Sequence, residues 1–237
     1  MPDSLKAKAL TVHERLLEIF GAPNWRSTLD PISEVVSTIL SQNTSDVNRD
    51  RAYDRLQARF PTWEMVRDAP VLAIEEAIRP AGLAHLKAPR IQEALRFITR
   101  QRGELNLDFL RDMPVEEAKA WLTQINGIGP KTAAIVLLFS LDMPAFPVDT
   151  HVHRVSQRLG LIGPKVSAEQ AHAILEELIP PGLYLPFHLN VIRHGREICH
   201  ARAPRCEICP LQAMCDYYQR ISGKAVRPYP PRPSGES

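Results

Sequence analysis

Twenty-one prolines interrupt this chain of 237 residues, and their positions limit the fold more than any other feature of the sequence. Proline is tolerated in the first turn of a helix and otherwise tends to end one. Most of these prolines lie where one helical stripe stops or another starts, as at Pro80, Pro89, Pro164 and the pair Pro180 and Pro181. The chain is therefore predicted to form many short helices.

Apolar residues recur with the helical spacing i, i+3, i+4, i+7 between these breaks. The two clearest stripes are Ile32, Val35, Val36, Ile39 and Leu40, and Ala171, Ile174, Leu175, Leu178 and Ile179. Asp30 before Pro31 suits a helix start, and Ser167 with Gln170 forms a capping box. Similar starts are predicted at Thr62 and at Met113. No run of alternating β-branched residues stands out, so the predicted fold class is all-α.

All four cysteines lie between positions 199 and 215, with the spacing C-x6-C-x2-C-x5-C; they are Cys199, Cys206, Cys209 and Cys215. Thiolates from one short loop can enclose a soft metal centre, either zinc or an iron–sulfur cluster. One C-x2-C pair with two outlying cysteines does not show whether the loop binds zinc or an iron–sulfur cluster. Disulfides are disfavoured because the chain is expected to be cytoplasmic and large enough to stabilise its own core.

A basic segment overlaps the cysteine loop, although the formal net charge of the whole chain is only +2. Its members are Arg193, His194, Arg196, His200, Arg202 and Arg205. Such a run is more often a solvated surface than a binding site. A loop pinned by a metal would nevertheless hold Arg202 and Arg205 ready to contact phosphates.

The segment LTQINGIGPKTAAIVLLF, from Leu122 to Phe139, is predicted to be a helix, a tight turn and a second helix. Gly127 and Gly129 permit positive φ and close approach of the backbone, and Pro130 suits the first helical position. The amides around Gly127, Ile128 and Gly129 would form an anion site suited to a DNA phosphate. The alternative is an ordinary turn between two helices.

Lys131 and Asp149 are the candidate catalytic residues. Lys131 falls in the first turn of the second helix, where the positive end of the helix dipole disfavours an ammonium, and partial burial would add to that effect. A neutral amine is a nucleophile that forms Schiff bases; the alternative for Lys131 is a surface lysine that contacts a phosphate. Asp149 suits an N-cap, or a carboxylate that stabilises positive charge on a sugar. Metal binding by Asp149, His151 and His153 is disfavoured because their i, i+2 spacing points the side chains apart.

Together, the GIGPKTA hairpin, the VDTHVHRV segment and the four-cysteine loop resemble the endonuclease III family of helix-hairpin-helix DNA glycosylases over about residues 16–218. The resemblance implies a [4Fe–4S] cluster on the four cysteines and two helical domains flanking a DNA-binding cleft. We expect a helical barrel domain at 29–143 and a discontinuous domain at 1–28 and 144–221. The Pro-rich segment 222–237 has little to bury and is expected to be a disordered tail.

By the same resemblance, the partner is double-stranded DNA that contains damaged bases or abasic sites. A damaged base, typically an oxidised pyrimidine, leaves the duplex because its sugar carbon is unreachable within the stack. Lys131 would attack C1′ with help from Asp149, and the resulting Schiff base would cleave the strand by β-elimination.

Two segments resemble the loops that this family inserts into the gap left by the flipped base. The first is ILSQNTSDV, in which Gln42 and Asn43 are the candidates and Asn43 stands where a glutamine is usual. Leu83 and His85 match the second loop. A longer connection at about 106–120 departs from the family pattern, and we expect it to add a surface helix.

Three alternatives have different sequence requirements. An adenine-mismatch glycosylase needs a glutamate where this chain has Thr38, and such enzymes usually lack the lysine. A uracil or thymine mismatch glycosylase of the same superfamily would differ in pocket residues that the sequence does not identify. A non-catalytic DNA-docking protein would need the glycines without Lys131 and Asp149. We expect the protein to be cytoplasmic, since its longest apolar stretch falls well below the roughly 20 residues that span a bilayer. We also expect it to be a monomer and to associate with the bacterial nucleoid when it acts on DNA.

Overall fold

The computed structural model describes residues 3–24 and 29–223. Within these ranges the chain forms α-helices and short 3₁₀ turns and contains no strand, which confirms the all-α fold class. None of the described helices combines the length and the apolar character needed to cross a membrane. The predicted disordered tail falls outside the described residues from position 224 onward.

The chain divides into two compact units, which we call the central unit, Arg26–Met143, and the terminal unit, Met1–Trp25 with Pro144–Ser237. The helices of the central unit are α2 (Pro31–Ser41), α3 (Asp46–Arg59), α4 (Trp63–Asp68), α5 (Val71–Ile78), α6 (Ala84–Arg102), α7 (Val115–Leu122) and α8 (Pro130–Ser140). Those of the terminal unit are α1 (Asp3–Phe20), α9 (Thr150–Leu159), α10 (Ala168–Leu178), α11 (Tyr184–Glu197) and α12 (Asp216–Ile221).

Most of the predicted helix starts are confirmed. The Asp30 carboxylate accepts hydrogen bonds from the amides of Ile32 and Ser33, and Ser167 forms its capping box with Gln170. Thr62 caps α4 through the Met65 amide. The start predicted at Met113 is wrong in detail, because the cap position is taken by the next residue, a proline whose side chain offers no acceptor.

One proline does not lie at a helix boundary as predicted: Pro89 sits inside α6. A proline there removes one backbone hydrogen bond near the start of the helix. Its neighbours Ala88 and Ile91 are fully buried, so the helix continues because packing of its apolar face outweighs the lost bond.

The core of the central unit forms around α2 and α8. The whole predicted stripe on α2 is buried, and α8 is buried along most of its length, from Thr132 to Ser140 with the exception of Ile135. α2 packs against both α6 and α8. In the terminal unit the core contains Leu16 of α1, Phe146, Val155 of α9 and Phe187 of α11. Burying an aliphatic or aromatic side chain of this size stabilises each unit by about 1.5–3 kcal/mol.

The longer connection before the hairpin contributes one 3₁₀ turn, Asp108–Asp112, rather than an added α-helix. The rest of the connection is α7, which is the first helix of the hairpin itself. The turn is held to α6 and α7 by aromatic contacts, with Phe109 5.1 Å from Trp121 and the Arg102 guanidinium 3.9 Å from the Phe109 ring. Arg111 also donates to the carbonyl of Ser140, at the end of α8. The connection therefore braces the second helix of the hairpin.

Candidate functional site

The hairpin turn joins the end of α7 at Leu122 to the start of α8 at Pro130. Gly127 has φ +87° and needs to be glycine, whereas Gly129 has φ −92° and is extended, so only one of the two glycines uses a positive φ. Ile128 is 4% exposed and its amide donates to the Ile125 carbonyl at 3.0 Å. Its side chain anchors the turn to the core, and this amide is already used.

The amides at the start of α8 are available to a ligand. Among the residues that the structure describes, no side chain caps this helix. Uncapped amides at a helix N-terminus carry partial positive charge and attract anions. The geometry is therefore compatible with a phosphate at Gly129 and Lys131, and less so at Ile128.

Gln42, which we predicted to contact DNA, is bonded within the central unit. Its Nε2 donates to the Gly127 carbonyl at 3.2 Å, and its Oε1 accepts from Arg90 Nη1 at 3.3 Å. The Arg90 side chain also lies beside Gly127, where a Cβ added to the glycine would be 3.4 Å from Arg90 Cδ. The sequence did not indicate that Arg90 belongs to the site, because it is one of many arginines on α3 and α6 and nothing in the pattern distinguishes it. It adds a positive charge beside the hairpin turn.

The two candidate catalytic residues lie in different units. Lys131 is exposed in the first turn of α8 rather than partly buried. Asp149 is the N-cap of α9, and its Oδ1 accepts the Val152 amide at 2.7 Å. The bond confirms the capping role and uses only one carboxylate oxygen.

The two histidines after Asp149 point to different partners, as their spacing predicted. His151 Nδ1 lies 3.1 Å from Arg154, and His153 Nε2 lies 2.8 Å from the Val166 carbonyl. Burial lowers the pKa of His151.

Asn43 and Leu83, one in each of the two predicted inserting segments, are exposed and have unusual backbone geometry. Asn43 is exposed and has φ +54°, directly after the end of α2. Leu83 is 46% exposed and has φ +49° at the N-cap of α6. His85 is exposed too, but it lies within the first turn of α6 and not in the loop.

α2 also carries an acid that its sequence pattern did not single out. Glu34 lies one turn before Thr38, and Thr38 Oγ1 donates to the Glu34 carbonyl oxygen at 2.8 Å and lies 3.3 Å from its Oε1. Burial raises the pKa of Glu34. Its position on the polar edge of an amphipathic helix gave no signal that the carboxyl would be enclosed. The absence of a glutamate at Thr38 therefore does not mean that α2 lacks an acid.

The four cysteines border one cavity in the terminal unit, together with side chains of α9, α11 and α12. Arg158 Nη1 donates to Cys199 Sγ at 3.2 Å and to the His200 carbonyl at 2.7 Å. His194 Nε2 lies 3.7 Å from Cys209 Sγ. Cys215 Sγ donates to the Arg158 carbonyl at 3.4 Å, so three of the four sulfurs have hydrogen-bond partners.

Three of the four thiols, those of Cys206, Cys209 and Cys215, are in an environment that opposes their ionisation. Burial raises the pKa of Cys209 to about 11, and burial also raises the pKa of Cys206 and Cys215. In residues 3–24 and 29–223, no three His, Cys, Asp or Glu side chains are grouped closely enough to hold a single metal ion. Four thiols around one cavity are nevertheless the donor set of an iron–sulfur cluster, whose positive irons would stabilise the thiolates. The residues present fit such a group.

Only part of the predicted basic segment is exposed to solvent. His194 is 1% exposed, and burial lowers its pKa to about 4, so it contributes no positive charge at neutral pH. The Arg193 guanidinium pairs with Glu197 at 2.8 Å. Arg202 and Arg205 are exposed in the loop between the first two cysteines.

Comparison with known families agrees with this arrangement. A family model described as "HhH-GPD superfamily base excision DNA repair protein" matches residues 36–181, which make up most of the chain and include the hairpin. The protein is thus a helix-hairpin-helix enzyme of base-excision repair. A second model, "Iron-sulfur binding domain of endonuclease III", matches residues 199–215, the cysteine loop. The chain belongs to the endonuclease III family of DNA glycosylases, and its cysteine loop is an iron–sulfur binding domain.

Individual relatives support the same family. Endonuclease III of Thermotoga maritima is 34% identical over 205 residues, covering 86% of this chain and 92% of the relative. A relative from Arabidopsis thaliana named as a DNA glycosylase is 36% identical over 192 residues; the match covers 77% of this chain and 65% of that protein. A solved non-covalent endonuclease III–DNA complex is 26% identical with a TM-score of 0.79, covering 92% of this chain and 99% of that chain.

Proposed function

We propose that this glycosylase removes oxidised pyrimidines from duplex DNA and then cleaves the strand through a Schiff base on Lys131. The observation that carries the proposal is the position of Lys131, exposed in the first turn of α8 directly after the glycine turn. The uncapped amides beside it would hold the DNA backbone while the amine approaches a sugar.

The reaction begins when the Nζ lone pair of Lys131 forms a bond to C1′ as the bond from C1′ to the base breaks. The base leaves with the bonding electrons and takes up a proton. Loss of a proton from the nitrogen and opening of the sugar ring produce an imine. The imine makes the C2′ proton acidic, and its loss expels the 3′ phosphate by β-elimination. Base removal and strand cleavage thus share one nucleophile.

Asp149 would assist by stabilising positive charge on the sugar or by carrying the proton. Its cap bond uses only Oδ1, so the second oxygen is not needed to hold α9. A carboxylate fixed by its own helix does not have to be reorganised during the reaction.

The partner of the site is double-stranded DNA that contains a damaged base or an abasic site. Solved complexes of endonuclease III with DNA, one of them a trapped covalent intermediate, support this choice. Asn43 and Leu83 would fill the gap left by the flipped base, and Gln42 and His85 would contact the DNA beside them. Gly127, Gly129 and the exposed Arg202 and Arg205 would contact phosphates.

The cofactor would be a [4Fe–4S] cluster held by Cys199, Cys206, Cys209 and Cys215. When bound, such a cluster supplies structural cross-linking of the loop through four metal–thiolate bonds. Arg158 and His194 would hydrogen bond to its thiolate sulfurs and thereby orient Cys199 and Cys209.

Borohydride trapping on a duplex with one abasic site tests the nucleophile. We expect the unmodified protein to become covalently attached, and Lys131→Gln to abolish attachment while DNA binding changes by less than about threefold. Lys165→Gln is the matched control, because Lys165 is another exposed lysine, located between α9 and α10. Equal trapping by Lys131→Gln would rule out this lysine as the nucleophile.

A panel of duplexes with single defined lesions tests the substrate class. We expect thymine glycol and dihydrouracil to be excised much faster than uracil or thymine in mismatches with guanine. The reverse preference would make the protein a mismatch glycosylase of the same superfamily. DNA binding without excision or cleavage of any duplex would make it a docking protein.

A further inference from the structure

Lys87 of α6 is one of the most completely buried large side chains of the described structure, at 1% exposure. Its Nζ donates to the Leu40 carbonyl at 2.7 Å and to the Ala81 carbonyl at 2.8 Å. Burial lowers the pKa of Lys87. An ammonium in such a place is costly unless it is well hydrogen bonded, so these two bonds are the reason that the lysine can be there.

Both carbonyls belong to the ends of helical segments. Leu40 is the residue before the last one of α2, and Ala81 ends the 3₁₀ turn Arg79–Ala81. The last carbonyls of a helix lack partners within the helix and carry partial negative charge. One ammonium therefore joins two helix ends that are about forty residues apart in the sequence.

Each of these ends leads directly into a predicted inserting segment. Asn43 follows Leu40 by three residues, and Leu83 follows Ala81 by two. Both have a left-handed backbone, with φ +54° and +49°. This conformation is unfavourable for residues other than glycine, so the surrounding contacts must hold it in place.

We propose that Lys87 is a positioning residue that holds Asn43 and Leu83 at one fixed spacing, so that both enter the DNA together when a base is flipped. The proposal rests on the proposed function for the role of the two segments. The joining of the segments by Lys87 stands on its own contacts.

Gln92 is a matched control on the same helix. It is also 1% exposed, and its Nε2 donates to three carbonyls at the end of α4, those of Val66, Arg67 and Ala69. It therefore holds a helix end by the same means as Lys87, but that end does not lead into an inserting segment.

Hydrogen exchange tests whether Lys87 holds the segments. The Thr44 amide bonds to the Ser41 carbonyl and the Gly82 amide to the Arg79 carbonyl, so each segment has a reporter. We expect Lys87→Met to speed exchange about tenfold or more at both reporters, through local opening. Gln92→Leu should speed exchange around Ala69 and leave Thr44 and Gly82 unchanged. Unchanged exchange at Thr44 and Gly82 in Lys87→Met would overturn the proposal.

Base flipping tests the functional consequence. With 2-aminopurine beside a thymine glycol, we expect the rise in fluorescence and the rate of excision to fall about tenfold in Lys87→Met. Cleavage of a preformed abasic site, which holds no base to flip, should change by less than about twofold. Gln92→Leu should leave the ratio of the two activities unchanged. Equal losses of excision and abasic cleavage in Lys87→Met would overturn the proposal and make Lys87 a residue of general stability.

The two proposals fail in different ways. If the unmodified protein processes no lesion and no abasic site, the proposed function is wrong, and hydrogen exchange still decides whether Lys87 joins the two segments. If the unmodified protein is active and Lys87→Met behaves like Gln92→Leu in both measurements, only the inference about Lys87 is wrong.

Discussion

The hairpin turn and the cysteine loop are both short irregular segments, yet they are held in different ways. The hairpin turn lies between two regular helices, and its Ile128 is buried in the core of the central unit. Between Cys199 and Cys215 the chain forms only two 3₁₀ turns, and the four thiols border a cavity. The hairpin is stabilised by ordinary packing, whereas we expect the loop to be stabilised mainly by the group that its thiols bind.

Additional contacts support the edges of the cysteine loop without replacing that ligand. Asp216, the residue after the last cysteine, pairs with Lys8 of α1 at 2.8 Å, and the Lys8 side chain is 7% exposed. Arg158 of α9 bonds to the start of the loop. Three predictions, from the largest expected effect to the smallest, test whether the cysteine loop is stabilised by its ligand and the hairpin turn by packing.

Removing one cysteine is expected to have the largest effect. Cys209→Ala should lose visible absorption and fall below the roughly four irons per chain expected of a [4Fe–4S] cluster. The free energy of unfolding of the terminal unit should fall by several kcal/mol, since metal binding and folding of such loops are coupled. Hydrogen exchange should quicken in the loop and α12 but not in α7 and α8. If the unmodified protein is colourless and contains zinc, the prediction of an iron–sulfur cluster is wrong. If hydrogen exchange in Cys209→Ala speeds up equally in α7 and α8, the cysteine loop and the hairpin turn are not stabilised in different ways.

An added methyl group at Gly160 is expected to have an intermediate effect. Gly160 has φ +73°, and a Cβ there would overlap the Asp216 carboxylate that pairs with Lys8. Gly160→Ala should therefore lower the free energy of unfolding by about 2–3 kcal/mol. Gly182→Ala, where a Cβ meets nothing within 4 Å, is the control and should be close to neutral. Similar unfolding curves for the two variants would show that Asp216 is not needed to brace the loop.

The smallest effect is expected in the hairpin turn. Gly127 has a positive φ, but a Cβ there would meet only the flexible side chain of Arg90, at 3.4 Å. Gly127→Ala should cost about 1 kcal/mol, mainly through backbone conformation. Gly129→Ala should leave stability unchanged, because its φ is ordinary and a Cβ meets nothing within 4 Å. If the amides of α8 approach phosphates, Gly129→Ala should still weaken DNA binding. If Gly129→Ala lowers the free energy of unfolding more than Gly127→Ala does, then Gly129, and not Gly127, is the glycine that the backbone of the turn requires.

Local features were readable from the sequence because their causes lie within a few residues. Asp30 and Ser167 cap helices through amides two or three residues away, and the four cysteines lie within one loop. Pro130 places Lys131 in the first turn of α8 for the same reason. The family could be predicted from these local motifs, and the comparisons confirm it.

Contacts between distant segments could not be predicted. Gln42 suited a DNA contact in the sequence, but its amide meets Gly127, 85 positions away. His194 belonged to a basic run, yet packing buries it beside Cys209. Lys87 gave no signal at all. In each case the role depends on which backbone or sulfur atom lies opposite the side chain.

The sequence by itself determined the helical class, most of the helix starts, the grouping of the thiols and the placement of a lysine after a glycine turn, because these follow from local backbone preferences and spacing. Only the tertiary structure decided that Lys87 joins two helix ends and that Gln42 bonds to the hairpin. Such pairings arise when helices pack, and a buried polar group must then bond to whatever the fold brings within reach.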